Sequence, residues 1–240
     1  MTTTPPAPRV HERSRTGPRF LLLLALALVV ALLVRSFLVQ TFSIPSESMS
    51  PTLEPGERVL VWRVGAGEDV RRGDVVVFDG TGTFAPAPAE RTGLASLGVA
   101  AGRVLGFRPG ESDFVKRVVG LPGERVTCCD DGGRLLVDGR PLDEPYLRAG
   151  DAPSDQAFDV EVPAGRLWVM GDHRSRSADS RSHLGSPGGG TVALGDVVGR
   201  VVAVTWPLRA VGVVERTAPA AAAAGEVGHG RDDEHREERP

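Results

Sequence analysis

The stretch IPSESMSPTL, Ile44–Leu53, places three serines and a methionine between two prolines. Ser46 and Ser48 are two residues apart, so in an extended chain they lie on the same side. Pro45 fixes its own φ and Pro51 pushes Ser50 out of the helical region, which predicts a stiff, extended segment. Such a segment would present a nucleophilic hydroxyl beside a donor for a developing oxyanion. Taken alone, it more often means a serine-rich linker.

The cations point to a base. Of the 28 lysines and arginines, every one but Lys116 is arginine. Either a compositional drift towards Arg left one survivor, or this position needs an amine that can lose its proton, which Arg, with a pKa above about 12, cannot do. In FVKRVVG, the period-2 rule puts Lys116 on one face with Phe114 and Val118, whose apolar surroundings would lower its pKa. Val115 and Val119 make the opposite face apolar too, so a snorkelling surface lysine competes with that reading. A serine with a lysine base is a known substitute for the serine–histidine pair. A third polar segment, GDHRSRSADSR (Gly171–Arg181), follows the strand pattern RLWVM; in it Ser177 could hydrogen-bond the lysine amine, and Asp179 with Arg181 could form an ion pair that holds the loop. His173 and His183 flank the same loop and would suit a serine–histidine hydrolase, a reading that leaves the lone lysine unexplained.

The elements that must position these residues read as mainly β. GERVLVW (56–62), GDVVVF (73–78), DFVKRVVG (113–120), GERVTC (123–128), RLLVDGRPL (134–142), AFDVEV (157–162), RLWVMG (166–171) and DVVGRVVAVTW (196–206) are short, rich in Val and bounded by Gly or Pro. Asp138-Gly139 suits a tight hairpin turn. The expected fold is an antiparallel β-sheet catalytic domain over 40–217 with a small β lobe at 121–168. Residues 80–112 read as a Gly-, Ala- and Pro-rich insertion in which only 93–107 look helical. Cys128 and Cys129 are adjacent, and neighbouring strand residues point to opposite faces, so a bond between them needs a distorted backbone. They read as structural, with a vicinal or intermolecular disulfide the less favoured alternative; no CxxC or second ligand cluster supports a metal.

Phe20–Val34 contains no charge, and extended through Arg35 to Val39 it is long enough as a helix for one membrane crossing, with Arg35 snorkelling to the headgroups. A basic start and short apolar core also suit a cleaved signal peptide, but no small-x-small cleavage site follows, so an uncleaved transmembrane helix over 19–39 is expected. Arg9, Arg13, Arg15 and Arg19 precede it against a single acid, Glu12, which keeps residues 1–18 in the cytoplasm and puts the domain outside. Nine steps from Val39 to Ser48 reach at most about 32 Å, so the nucleophile would lie near the outer membrane surface. Ala218–Pro240, alanine-rich and then charged, is expected to be a disordered tail. A net charge of −3 excludes a polycation that binds nucleic acid.

Together these segments resemble the bacterial type I signal peptidases, or leader peptidases, membrane-anchored serine/lysine proteases that remove signal peptides. Pro45–Leu53 matches that family's Pro-Ser-x-Ser-Met-x-Pro-Thr-Leu motif throughout, and GDVVVF, KRVVGLPGE (Lys116–Glu124) and GD…SADSR match its remaining boxes in order. The resemblance implies Ser48 as nucleophile, Lys116 as general base, Ser46 with the Ser48 N–H as oxyanion hole, Ser177 as the lysine's orienting partner, and Asp179 and Arg181 as supports. It implies an acyl-enzyme intermediate, no cofactor or metal, and a monomer acting at the lipid bilayer on signal-peptide-bearing preproteins, with small side chains three residues and one residue before the cut. Two positions depart from the pattern: His173 stands where Asn is usual, and Arg176 where a small polar residue is common.

Overall fold

Valine-rich runs become strands because β-branched side chains pack well on a pleated surface, and glycines close the turns between them. The computed structural model describes residues 20–29, 38–63, 65, 67–86 and 112–217. Within these the strands are β1 (Val39–Ser43), β2 (Arg58–Trp62), β3 (Val75–Asp79), β4 (Asp113–Gly120), β5 (Arg125–Cys128), β6 (Leu135–Val137), β7 (Arg140–Pro141), β8 (Phe158–Glu161), β9 (Arg166–Met170), β10 (Val192–Ala193), β11 (Val197–Trp206) and β12 (Gly212–Val213). The larger sheet runs β1-β2-β11-β3-β4-β9-β10 with β12 on β11, the smaller β7-β6-β5-β8, and all of these strand pairs are antiparallel.

Alternation along the central strands feeds three apolar clusters. In β3, Val75 and Val77 join a core with Ile44, Met49, Leu53, Val59 and Val201, while Val76 and Phe78 join another with Val118, Leu167 and Val169. Val119, Trp168 and Met170 pack with Val126, Leu135 and Phe158 from the smaller sheet. β4 is therefore buried on both faces along its second half. The long strand β11 shifts register twice against β2 and once against β3, which bends it enough to serve both neighbours. Between β6 and β7, Asp138 and Gly139 both take positive φ, 50° and 74°, the geometry that the Asp-Gly pair predicts for a two-residue hairpin.

Three details differ from the sequence reading. Val39, placed at the end of the apolar span, instead opens β1 and pairs with Trp62, because VQTFS can satisfy its backbone against β2. Residues 20–29 are helical and their large side chains are half or more exposed, yet among the described residues no helix is long and apolar enough to cross a membrane. Cys128 and Cys129 form a disulfide with each other across a cis peptide. Strand alternation does not forbid it, because Cys128 is the last residue of β5 and Cys129 lies beyond the ladder. The expected tails at 1–18 and 218–240, the rest of the apolar span at 30–37 and most of the insertion, 87–111, lie outside the described residues.

Candidate active site

The segment between the two prolines is not extended throughout. Ser46 (φ −133°, ψ 162°) and Ser50 (φ −65°, ψ 140°) are extended, but Glu47–Met49 wind into one 3₁₀ turn, closed by the Ser50 N–H on the Glu47 carbonyl at 3.0 Å. Burial drives the winding: Met49 and Leu53 enter the core with Val59 and Val201, and the Leu53 N–H reaches the Met49 carbonyl at 2.9 Å. The serines nevertheless meet, with Ser46 Oγ donating to Ser48 Oγ at 3.3 Å. Ser48 is buried and Ser46 exposed, so the pair lies where the interior meets the surface.

Lys116 reaches this turn from β4. Its backbone lies opposite Val76 of β3, and Phe114 and Val118, two residues to either side, pack in the cluster around Phe78. The residue is 5% exposed, and Nζ donates to Ser48 Oγ at 2.8 Å and to the Val115 carbonyl at 3.0 Å. Burial pushes the amine down from 10.5 to about 8, against the opposing attraction of the Asp179 and Asp172 carboxylates. At neutral to mildly alkaline pH a useful fraction is therefore a free base in contact with a serine hydroxyl.

The loop after β9 closes the site from the other side. An added Cβ at Gly171 would collide with both Ser177 Oγ and the Ser48 carbonyl oxygen, so a glycine is required for the loop to lie this close. Asp179 grips Arg181 through Oδ1 to Nε at 2.9 Å and Oδ2 to Nη2 at 2.8 Å, and Oδ2 also accepts the Gly171 N–H at 3.1 Å. Both side chains are buried, and Arg181 Nη2 donates onward to the Arg174 carbonyl at 2.8 Å. Ser177 Oγ is buried without a hydrogen-bond partner, so it is not bonded to Lys116 here. The histidines face elsewhere: His183 Nδ1 donates to the Asp179 carbonyl at 2.8 Å with its ring on Phe84, and His173 Nδ1 lies 3.2 Å from the Glu47 carbonyl.

Sequence reasoning missed the buried charges beneath these groups. Arg117, the neighbour of Lys116 on the opposite face of β4, pairs with Asp172, donates to the Gly73 carbonyl at 2.8 Å and to Thr52 Oγ1 at 3.0 Å, and lies 4.1 Å over the Tyr146 ring. Thr52 Oγ1 donates to Asp172 Oδ2 at 2.5 Å, which ties the segment that carries Ser46 and Ser48 to the same pair. Arg174 holds Glu144 at 2.5 Å and the Gly171 carbonyl at 2.8 Å. A neighbouring lysine and arginine in a strand with valines on both faces was the available signal, since both cations must be buried there. Among the described residues no group of three or more His, Cys, Asp or Glu is placed to hold a metal.

A serine hydroxyl in contact with a buried, weakly basic lysine can perform acyl transfer. The sequence profile of the family described as "Signal peptidase, peptidase S26" matches residues 18–206. The signal peptidase I of Mycobacterium tuberculosis is 37% identical over 88% of this chain and 80% of its own, and that of Leptolyngbya laminosa 35% identical over 87% and 91%. A solved signal peptidase I from Enterococcus faecalis aligns with 55% of this chain and 96% of its own at 24% identity, with a TM-score of 0.36. On the profile match and these two relatives, the chain belongs to the signal peptidase family, peptidase S26, and is a hydrolase of that class.

Proposed function

We propose that the chain is a membrane-bound endopeptidase that removes N-terminal signal peptides from exported preproteins through a Ser48–Lys116 dyad and an acyl-enzyme intermediate. The observation that carries this reading is the 2.8 Å contact between the Lys116 amine and the Ser48 hydroxyl in a site where burial brings the amine to about 8. With one amine hydrogen given to the Val115 carbonyl, the lone pair of neutral Lys116 turns to the Ser48 O–H and takes its proton as Oγ attacks the scissile carbonyl. The Ser48 N–H and the Ser46 hydroxyl, which turns from Ser48 Oγ to the substrate, stabilise the tetrahedral oxyanion, a contribution of about 3–4 kcal/mol per donor. The Lys116 ammonium then protonates the leaving amine. In the second half Lys116 takes a proton from water as the hydroxide attacks the Ser48 ester, the ammonium returns that proton to Ser48 Oγ as the ester bond breaks, and the signal peptide leaves as an acid that ionises to its carboxylate. Ser177 orients the amine once substrate excludes water, while Asp179 and Arg181 hold the loop.

The membrane part of the proposal is a single span ending before Val39, with the amino terminus in the cytoplasm and the catalytic domain outside. It is supported by the uncharged run 20–34, by the exposed apolar side chains of helix 20–29 and by Trp206, Leu208 and Val213 at 52%, 78% and 79% exposed. Apolar surface of this kind is costly in water and favourable in lipid. The smaller sheet is the small lobe of a monomeric domain.

The test is cleavage of a preprotein by the full chain purified in detergent. Ser48→Ala and Lys116→Arg should both fall to background while melting like wild type. A Lys116→Arg enzyme that cleaves at nearly the wild-type rate would overturn the dyad and bring His173 and His183 back as bases.

A further inference from the structure

Glu47 separates the two serines, and its side chain is held by two guanidinium groups and an imidazole. Arg176 Nη1 lies 2.5 Å from Oε1, while Arg148 Nη1 and His173 Nδ1 each lie 3.9 Å from Oε2. His173 Nδ1 is also 3.2 Å from both the Glu47 carbonyl and Arg148 Nη1, so it donates to the former as one tautomer or accepts from the latter as the other. Main-chain bonds run through the same place: the His173 N–H donates to the Ser48 carbonyl at 3.1 Å, and the Arg148 N–H to the Asp172 carbonyl at 3.2 Å. The cluster therefore joins the turn Glu47–Met49 to two other segments of chain. His173 and Arg176, both on the loop that follows β9, reach Glu47.

We propose that Glu47 and Arg176 are positioning residues: their ion pair, backed by Arg148 and His173, pins the turn that presents Ser46 and Ser48, and it makes the reaction rate of this chain fall with ionic strength. The inference rests on reading Ser48 as the nucleophile. Side chains 39% and 66% exposed contribute little to folding, so the pair acts on geometry rather than on stability. An attacking oxygen displaced by a fraction of an ångström loses rate steeply, whereas substrate contacts away from the reacting bond are unaffected. Exposure also leaves the pair open to screening, because the Debye length shrinks from about 10 Å at about 0.1 M salt to about 3 Å at about 1 M.

The experiment measures preprotein cleavage by the full chain in detergent at those two salt concentrations. Glu47→Gln and Arg176→Gln should each lower kcat about two- to fivefold with KM nearly unchanged, and the double variant should be no slower than either single. Arg176→Lys, which keeps the single Nη1 contact as an ammonium, should recover most of the rate. Wild type should slow at high salt while the Gln variants stay flat; Arg71→Gln, which breaks a more exposed pair with Asp69, should keep the wild-type salt profile. Melting temperatures verify that every variant is folded. Additive losses, a change in KM alone, or Gln variants that match wild type in rate and salt profile would overturn the proposal. Ser48→Ala, assayed in parallel, separates that failure from failure of the catalytic reading, since only the latter leaves Ser48→Ala active.

Discussion

Arg117 and Asp172 meet side-on out of reach of solvent, Nε to Oδ1 at 2.8 Å and Nη2 to Oδ2 at 2.6 Å, with side chains 1% and 0% exposed. Removing one charge strands the other in a dry interior, a loss of about 3–5 kcal/mol, whereas replacing both by apolar residues is often close to neutral. Asp172→Ala should therefore lower the unfolding free energy by about that amount in denaturant titrations. Arg117→Met with Asp172→Leu should recover much of it, less the bond to Thr52. Equal stability of Asp172→Ala and wild type would show that the pair is not structural.

On the proposed dyad, Lys116 should set a pH dependence of activity in the same direction as that of stability. Burial lowers its amine from 10.5 to about 8, so kcat/KM should rise with pH through about 8 and then level as the neutral amine fills. Between pH 8 and 10.5 the unfolded chain holds a proton that the native chain has released, so stability also rises across that window and is lost as pH falls through about 8. Lys116→Met should flatten that rise and stabilise the fold at pH 7 by up to about 3 kcal/mol, while abolishing cleavage. A stability profile for Lys116→Met parallel to wild type would assign the titration to another group.

Gly171→Ala should harm catalysis more than folding. The new methyl would push apart Ser177 and the Ser48 carbonyl, and such a displacement at the reacting centre can cost about 10²-fold in kcat. Gly195→Ala, where nothing lies within 4 Å, is the matched control and should be silent. Comparable kcat in the two variants would mean that the loop tolerates the shift.

The vicinal disulfide should be dispensable for chemistry. It closes a loop of adjacent residues, so it removes little entropy from the unfolded chain. Replacing Cys128 and Cys129 by serine should leave most cleavage intact, with a modest drop in melting temperature from polar groups packed against the cluster around Phe158. Complete loss of turnover in a folded double variant would tie the smaller sheet directly to the reaction.

The parts of this fold legible in the sequence were those with local signals. The eight strand segments read from period and turn residues all contain strands, and the Asp138-Gly139 hairpin forms as its dipeptide predicts. Lys116 stood out because it is the single lysine among 28 basic residues. β1 was hidden because Val39–Ser43 directly follows the stretch read as the membrane span, and its partner β2 lies beyond an intervening turn. The winding of Glu47–Met49 was missed because two prolines argue for extension locally, while burial of Met49 and Leu53 decides otherwise. Arg117 with Asp172, 55 residues apart, and Arg174 with Glu144, 30 apart, leave no periodic trace. Such pairings exist only once the sheets have brought their segments together.

The two neighbouring cations of β4 also act as a check on assembly. Lys116 and Arg117 point to opposite faces, one toward Ser48 and the other toward Asp172. A slip of one residue against β3 or β9 would place either a guanidinium against the serine or an amine against the carboxylate, depending on its direction, and would turn every apolar neighbour to the wrong side. The guanidinium cannot take the proton, and a misaligned molecule would be silent rather than partly active or altered in specificity. Proofreading of the strand's alignment is thus written into a dipeptide: only the chain that has threaded correctly can cut.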